Sequence, residues 1–263
     1  MKTLFIHFDD SKLACIKFGN GEKALLCFHG YGLDKNSFLP FENKYGNEYT
    51  LYSFDLFAHG KSEYGKGDKA LLLDDWKLML DSFLIQENIE RFSILAFSMG
   101  GKVALCSFEL YQNKVDEVIL IAPDGIKTNF WYSAATYPGF LNTFFRYTIF
   151  NPSRYFKVIT LLKFLRLADK SLLKFAENEM DTATKRVRVY FSWMIYRYFR
   201  PNLENIIQIS ESKKIPFTFY TGTFDRIVQA KHVAIFVKRM KFVKHTDLDC
   251  GHTSLLKFVV KNS

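Results

Sequence analysis

Residues Ile94 to Gly101 read Ile-Leu-Ala-Phe-Ser-Met-Gly-Gly, and the fold class can be predicted from this segment. Its apolar run ends at Ser98 and a helical pattern follows, which is typical of a strand that turns sharply into a helix. Ala96 and Gly100 stand two residues before and after the serine. In such a turn these positions nearly touch, so only glycine or alanine fits. The serine is then held in a strained backbone with its hydroxyl exposed.

The composition indicates a globular chain with one large α/β domain or two small ones. Its 263 residues can bury a substantial core, and 48% hydrophobic and 24% charged residues are ordinary values. The aromatic content is high, with 28 Phe and 14 Tyr. These rings exceed what a sheet core needs, so they indicate further apolar surface, such as a substrate channel or a lid.

The positive charge is concentrated in one segment. The net charge is +9, and residues 126–208 hold 13 Lys and Arg against 5 Asp and Glu. These cations fit either the solvated outer faces of helices, or an anionic substrate portion or acidic surface nearby, including weak contact with a membrane surface. No nucleic-acid-binding motif accompanies them, so we predict no nucleic-acid partner.

The cysteines favour a cytoplasmic protein with reduced thiols. They are far apart, without a metal-type spacing, and we predict no metal site. They are Cys15, Cys27, Cys106 and Cys250. The apolar run after Lys2 ends at Asp9 and Asp10, too early for a secretory signal. No apolar run approaches the length that spans a bilayer.

Strand and helix patterns alternate over most of the chain, which predicts a mostly parallel central sheet flanked by helices. The predicted strands cover residues 3–8, 12–18, 23–28, 50–54, 92–97, 118–122, 216–221 and 242–248. Asn20-Gly21 is a hairpin signal, so we expect the first three strands to be antiparallel neighbours. Gly19 and Gly21 then belong to a hairpin rather than to a dinucleotide fingerprint, and we predict no cofactor.

Between residues 130 and 199 the alternation stops. The segment is aromatic and basic, with apolar residues at helical spacing such as Val187, Phe191 and Met194. We therefore predict a core domain of residues 1–125 and 209–263, with a helical insertion at residues 126–208.

These features resemble the α/β-hydrolase fold family, in its serine hydrolase branch of carboxylesterase-like and lipase-like enzymes. The family's nucleophile elbow is usually Gly-x-Ser-x-Gly, and Ala96 takes the place of the first glycine here. The sequence His29-Gly-Tyr31-Gly follows the third strand, where the family has His-Gly-x-Gly. The resemblance implies an oxyanion hole formed by the backbone N–H groups of Tyr31 and Met99. It covers the chain from about residue 10 to the end.

The resemblance also implies the other roles. Asp55 to Ser62 is similar to the family's Asp-x-x-Gly-His-Gly-x-Ser turn, in which His59 would be structural. The family's chain order of nucleophile, acid and base implies a triad of Ser98, Asp225 and His252. Asp124 competes as the acid, because some members take it from the strand after the elbow helix.

The helical insertion matches the family's cap only in position, and its substrate-binding residues within 126–208 are not identified by the sequence. The leading hypothesis is hydrolysis of a small carboxylic ester with an apolar portion through an acyl-enzyme. A thioesterase, a carbon–carbon bond hydrolase and a low-turnover ligand receptor on the same scaffold are the alternatives. The sequence does not predict the oligomeric state.

Overall fold

Two strands of the sheet come from runs in which nearly every residue is apolar. These are β3 (Lys23–Phe28) and β5 (Phe92–Phe97), which are buried along almost their whole length. Such strands require a partner on both edges and cover on both faces. In the computed structural model, which describes residues 2–127, 130–136, 139–165, 177 and 180–261, they lie side by side in the middle of an eight-stranded sheet.

The other strands complete a mostly parallel sheet. They are β1 (Lys2–Phe8), β2 (Ser11–Phe18), β4 (Tyr49–Phe54), β6 (Val115–Ile121), β7 (Phe217–Gly222) and β8 (Val243–Leu248). The order across the sheet is β1-β2-β4-β3-β5-β6-β7-β8. The pairs β1–β2 and β2–β4 are antiparallel, and the other neighbours are parallel. The predicted α/β-hydrolase fold is confirmed, and the carboxyl ends of its parallel strands share one edge.

Helices follow most of the strands. The first is a 3-10 helix at Lys35–Phe41. The α-helices are α1 (Glu42–Tyr45), α2 (Leu73–Gln86), α3 (Gly100–Leu110), α4 (Phe130–Thr136), α5 (Phe140–Phe150), α6 (Pro152–Phe164), α7 (Ala183–Ile195), α8 (Leu203–Lys213), α9 (Ala230–Val237) and α10 (Leu255–Lys261). The chain divides into two compact units. The sheet unit is Met1–Lys66, Leu71–Lys127 and Tyr198–Ser263, and the helical unit is Gly67–Ala70 and Thr128–Arg197.

The helical unit is held together by polar contacts as well as aromatic packing. The buried guanidinium of Arg186 donates hydrogen bonds to the carbonyl oxygens of Ile149, Met180 and Asp181. Tyr190 donates its hydroxyl proton to Asp68, which ties residues 67–70 to α7. A buried charge that donates to three backbone carbonyl groups in this way fixes the arrangement of the segments around it.

Helix α8 belongs to the sheet unit, although the predicted boundary at residue 208 falls inside it. Glu109, in α3, accepts hydrogen bonds from the backbone N–H of Asn202 and the side chain of Asn205. These contacts attach the start of α8 to the helix that follows β5.

The expectation that the first three strands are antiparallel neighbours is wrong for the third, because β4 lies between β2 and β3. Asn20 and Gly21 do not form the two-residue turn. Both N–H groups donate to the carbonyl oxygen of Gly46, and of residues 19–21 only Gly19 has a positive φ. If β2 were the hairpin partner of β3, it would occupy the edge of β3 that β4 uses. Strand β4 pairs in parallel with the whole length of β3.

The turn after β5 depends on close backbone packing at Gly100. A Cβ atom there would lie 2.0 Å from the carbonyl oxygen of Phe28 and 2.8 Å from that of His29. The end of β3 therefore requires glycine at this position, in addition to the crowding between Ala96 and Gly100 that the sequence indicates.

We predict that Gly100→Ala lowers the free energy of unfolding by about 2–3 kcal/mol or more, since the added methyl group meets rigid backbone. Urea denaturation measures this loss. Gly251→Ala is the control, because its Cβ would meet its nearest neighbour at 3.9 Å and its φ is −91°. The control should change stability by less than about 0.5 kcal/mol. Equal losses in the two variants would contradict this account of the turn.

Candidate active site

Ser98 has the strained backbone that the sequence predicts. Its φ is +49°, in the left-handed region that costs an ordinary residue about 1–2 kcal/mol. Three hydrogen bonds hold it there. Its N–H donates to the carbonyl oxygen of Ile121 at 3.0 Å, and its own carbonyl oxygen accepts from the N–H groups of Gly101 and Asp124 at 2.8 Å. The serine is thus fixed between β6 and the first turn of α3.

The side chains of Ser98, His252 and Asp225 form one hydrogen-bonded chain. The distance is 2.9 Å from His252 Nε2 to Ser98 Oγ, and 2.6 Å from His252 Nδ1 to Asp225 Oδ2. A carboxylate can only accept, so the Nδ1 atom carries the proton and Nε2 is free to accept the serine hydroxyl proton. The carboxylate is fully buried and the imidazole is 12% exposed.

The Asp225 carboxylate is held by the loop that follows β7. Its second oxygen, Oδ1, accepts hydrogen bonds from the N–H groups of Ile227 and Val228 at 2.8 and 2.9 Å. With the imidazole, this satisfies a buried charged group that would otherwise be unfavourable. These two donors belong to none of the motifs recognised in the sequence. An aspartate that accepts from the N–H two residues later is a known turn pattern, and it could have indicated them.

Asp124 is placed differently. It follows β6, its Oδ1 accepts the N–H of Gly125 at 2.8 Å, and its own N–H donates to the Ser98 carbonyl. Asp124 therefore supports the serine backbone, while the imidazole of His252 is hydrogen-bonded to Asp225.

The segments of both predicted oxyanion donors lie beside Ser98. A Cβ atom at Gly30 would be only 3.1 Å from the Ser98 Cβ, so the chain passes against the serine one residue before Tyr31. Met99 has helical dihedrals and is the cap residue of α3. Backbone N–H groups at a helix N-terminus have no partner in the preceding turn and carry partial positive charge. The arrangement suits a negatively charged oxygen beside Ser98.

Two neutral histidines hold the loop that contains Tyr31. His59 Nε2 accepts the N–H of Gly32 at 3.0 Å, and its ring lies edge-on to the Tyr31 ring. His29 is fully buried, and its Nε2 accepts the N–H of Leu56 at 3.0 Å. Burial lowers the pKa of His29, which keeps the ring neutral and able to accept. His59 thus makes the structural hydrogen bond expected of it.

The turn that carries His59 is built on a buried ion pair. Asp55 is completely buried and lies 2.6 Å from the Lys35 ammonium group. The same carboxylate accepts the backbone N–H groups of Lys35 and Lys61 at 2.7 Å. Gly60 has a φ of +54°, and a Cβ there would be 2.1 Å from the carboxylate, so only glycine fits.

Phe97 is a further site residue that sequence reasoning missed. Its ring centroid is 5.0 Å from that of His252, and a Cβ at Gly30 would be 2.8 Å from the same ring. The ring therefore packs against both the imidazole and the loop before Tyr31. The residue before the serine is unconstrained in the small-x-Ser-x-Gly pattern, so the sequence contains no signal for it.

We predict a pH dependence of stability that arises at His29. Its folded pKa is below its ordinary value of about 6.5, so the stability it contributes is complete above that pH and is lost as pH falls towards the folded pKa. In His29→Gln the amide oxygen can still accept from Leu56 but does not titrate. We therefore expect the free energy of unfolding to fall less in this variant than in the wild type between about pH 7 and about pH 5.

Urea denaturation at each pH measures this difference. His7→Gln is the matched control, because His7 is exposed on β1, and it should retain the wild-type pH profile. Parallel profiles for His29→Gln and the wild type would contradict the assignment to His29.

The known proteins to which this chain is similar agree on one fold family. A family model described as alpha/beta hydrolase fold matches residues 23–258. A Mycoplasma genitalium protein named "Putative esterase/lipase 2" is 24% identical over 213 residues, which are 80% of this chain and 74% of that protein. A Mycoplasma pneumoniae protein of the same name is 26% identical over 99 residues, 36% of this chain and 35% of that protein. The chain spans about a third of the length of the latter relative.

Solved structures are similar over nearly the whole chain. A thermophilic esterase from Thermogutta terrifontis with malate bound has a TM-score of 0.68 at 14% identity, covering 99% of this chain and 96% of that one. An alpha/beta hydrolase enzyme, MGS-M2, from a deep-sea metagenome library has a TM-score of 0.69 at 13% identity, covering 98% and 94%. At these identities the likeness shows the fold alone.

Proposed function

The chain belongs to the α/β-hydrolase fold family, and on this basis we propose that it is a serine hydrolase of carboxylic esters with an apolar acyl or alcohol group. The observation that supports this most directly is the hydrogen-bonded chain from Ser98 through His252 to Asp225. A serine hydroxyl is a poor nucleophile at neutral pH, and an oriented imidazole provides the base that it lacks.

In the proposed acylation step, Ser98 Oγ attacks the ester carbonyl carbon while His252 Nε2 takes the hydroxyl proton. The imidazole becomes positively charged, and the Asp225 carboxylate stabilises it through the proton on Nδ1. The tetrahedral intermediate then collapses. Its carbon–oxygen bond to the alcohol group breaks, and Nε2 returns the proton to the leaving alcohol oxygen, which leaves an acyl group on Ser98.

The oxygen that becomes negative in this step would accept hydrogen bonds from the N–H groups of Met99 and Tyr31. Such donors stabilise the transition state more than the substrate, because the negative charge develops only as the carbonyl is attacked. The close approach of Gly30 to Ser98 supports this assignment for Tyr31.

Deacylation repeats the same chemistry with water. His252 Nε2 removes a proton from a water molecule as its oxygen attacks the acyl carbon. The second tetrahedral intermediate releases the carboxylic acid, and the proton on Nε2 returns to Ser98 Oγ. No cofactor is required at any step.

The names of the relatives favour an ester as the bond that is cleaved. The Mycoplasma proteins are named esterase/lipase and the Thermogutta protein is an esterase. For an apolar substrate portion, the support is the 28 Phe and 14 Tyr of the chain. That the helical unit acts as a cap carrying substrate-binding residues within 126–208 stays a prediction.

The test is the hydrolysis of p-nitrophenyl esters of increasing acyl length, from acetate to palmitate. We expect turnover by the wild type, and a loss of kcat of about six orders of magnitude in Ser98→Ala, because the nucleophile is absent. The acyl length with the highest kcat/KM measures the size of the apolar pocket.

Two aspartate variants provide a matched comparison. Asp225→Asn should reduce kcat by about 10⁴-fold, since an amide cannot hold the imidazole in the required tautomer. Asp124→Asn keeps its oxygen for the Gly125 N–H and should lower kcat by less than about tenfold. A wild type that hydrolyses none of the esters would refute the mechanism and favour a ligand receptor. A larger loss of kcat in Asp124→Asn than in Asp225→Asn would refute it in favour of Asp124 as the acid.

A further inference from the structure

Helices α5 and α6 carry large apolar side chains that are not buried. Phe140 and Phe164 are 80% and 81% exposed. The exposed apolar residues that we call the aromatic face are Phe140, Phe144, Tyr147, Phe156, Leu161 and Phe164. Single exposed apolar residues are common, but a group of six on two consecutive helices marks a surface that contacts a partner.

The α6 part of this face is one side of the helix. Ser153, Phe156, Lys157, Thr160, Leu161 and Phe164 line a shallow groove along it. Their spacing of three and four residues places them in one row. Tyr155 and Ile159 are buried, so the inner side of α6 already packs within the protein. The exposed outer row is therefore not needed to pack α6 within the protein.

The α5 part adjoins it. Phe140, Phe144 and Tyr147 follow the same helical spacing and are about half exposed or more. The Arg154 guanidinium lies 4.3 Å from the centre of the Tyr147 ring, which links the first turn of α6 to the exposed row of α5. The two rows thus meet at a cation stacked on an aromatic ring.

The charge around the aromatic face has one sign. Residues 139–165 contain four Lys and Arg and no Asp or Glu. Arg146 lies near Asp68 and Lys163 pairs with Glu177. Arg154 and Lys157 are exposed and form no ion pair with the residues that the structure describes. Uncompensated cations beside exposed rings favour an anionic partner.

We propose that the aromatic face binds the surface of an anionic lipid bilayer, with its rings at the boundary of headgroups and acyl chains and Arg154 and Lys157 near lipid phosphates. Exposed aromatic rings flanked by basic side chains are the composition that interfacial helices use. No helix in the described parts of the chain is long and apolar enough to cross a bilayer, so this contact is at the surface.

A second copy of the chain fits this face less well. A two-fold dimer would pack this face against the same face of the other copy, and residues 139–165 contain no carboxylate that could pair with Arg154 and Lys157 there. The proposal is independent of the proposed function, because lipid binding is measured without turnover.

The experiment is co-sedimentation of the full chain with phosphatidylcholine vesicles that contain or lack phosphatidylglycerol. We expect binding to the anionic vesicles, weakened by salt, and little binding to phosphatidylcholine alone. Each basic residue near such a surface contributes a factor of about five, so Arg154→Gln with Lys157→Gln should bind about 25-fold more weakly. Phe140→Ser with Phe164→Ser should weaken binding by about tenfold or more.

The matched control is Ile85→Ser with Lys238→Gln, which removes an exposed apolar residue and an exposed cation from the sheet unit and should bind as the wild type does. Circular dichroism and Tm of each variant establish that it is folded. The proposal is overturned if the wild type does not bind anionic vesicles or binds both kinds equally. It is also overturned if the variants of the aromatic face bind anionic vesicles as the control does. The same holds if these substitutions abolish self-association of the chain and leave lipid binding intact.

Discussion

The start of α3 packs directly against the carbonyl end of β3, and this contact positions the site. Phe28 and Ala96 are directly paired across the two parallel strands, so both chains leave the sheet at the same level. Gly100 then packs on the Phe28 carbonyl group, and Gly30 passes against Ser98. The register of the sheet and the crowding of the backbone therefore bring together a serine with left-handed backbone dihedrals and a loop that supplies N–H donors. Side-chain packing is not needed to explain this arrangement.

The loops that extend from this edge are stiffened by buried polar groups rather than by apolar packing alone. Asp55 is surrounded by an ammonium group and two backbone donors, and Asp225 by an imidazole and two backbone donors. Removing one member of a buried charge pair typically costs about 3–5 kcal/mol, because the other charge is left uncompensated. Such loops are fixed in position, and reacting groups that are already in position lose less freedom during reaction.

Much of this could be predicted from the sequence, because parallel strands end at one edge and their following loops carry the chemistry. Each of the three residues Ser98, Asp225 and His252 follows a predicted strand, and the residues beside it in the chain form a pattern that can be recognised in the sequence. The position of β3 could not be predicted in the same way. The Asn20-Gly21 signal is local, whereas β4 enters the sheet between β2 and β3 through contacts distant in sequence.

Other features of the site leave no trace in a linear pattern. The packing of Phe97 on His252 exists only once two separate loops have met. The predicted division at residue 208 falls inside α8, because apolar residues at helical spacing look the same in the sequence of the sheet unit and of the helical unit. What joins α8 to the sheet unit is the hydrogen bonding of Glu109 to Asn202 and Asn205, a contact between distant parts of the chain.

If His252 and Asp225 make Ser98 nucleophilic, the serine should react covalently with an electrophile that other serines resist. The most direct measurement is reaction of the folded protein with a fluorophosphonate, followed by mass spectrometry of the peptides. We expect one adduct, on Ser98, that forms in the wild type and is lost when His252 is replaced by alanine. No adduct on the folded wild type, or an adduct on another residue, would contradict it.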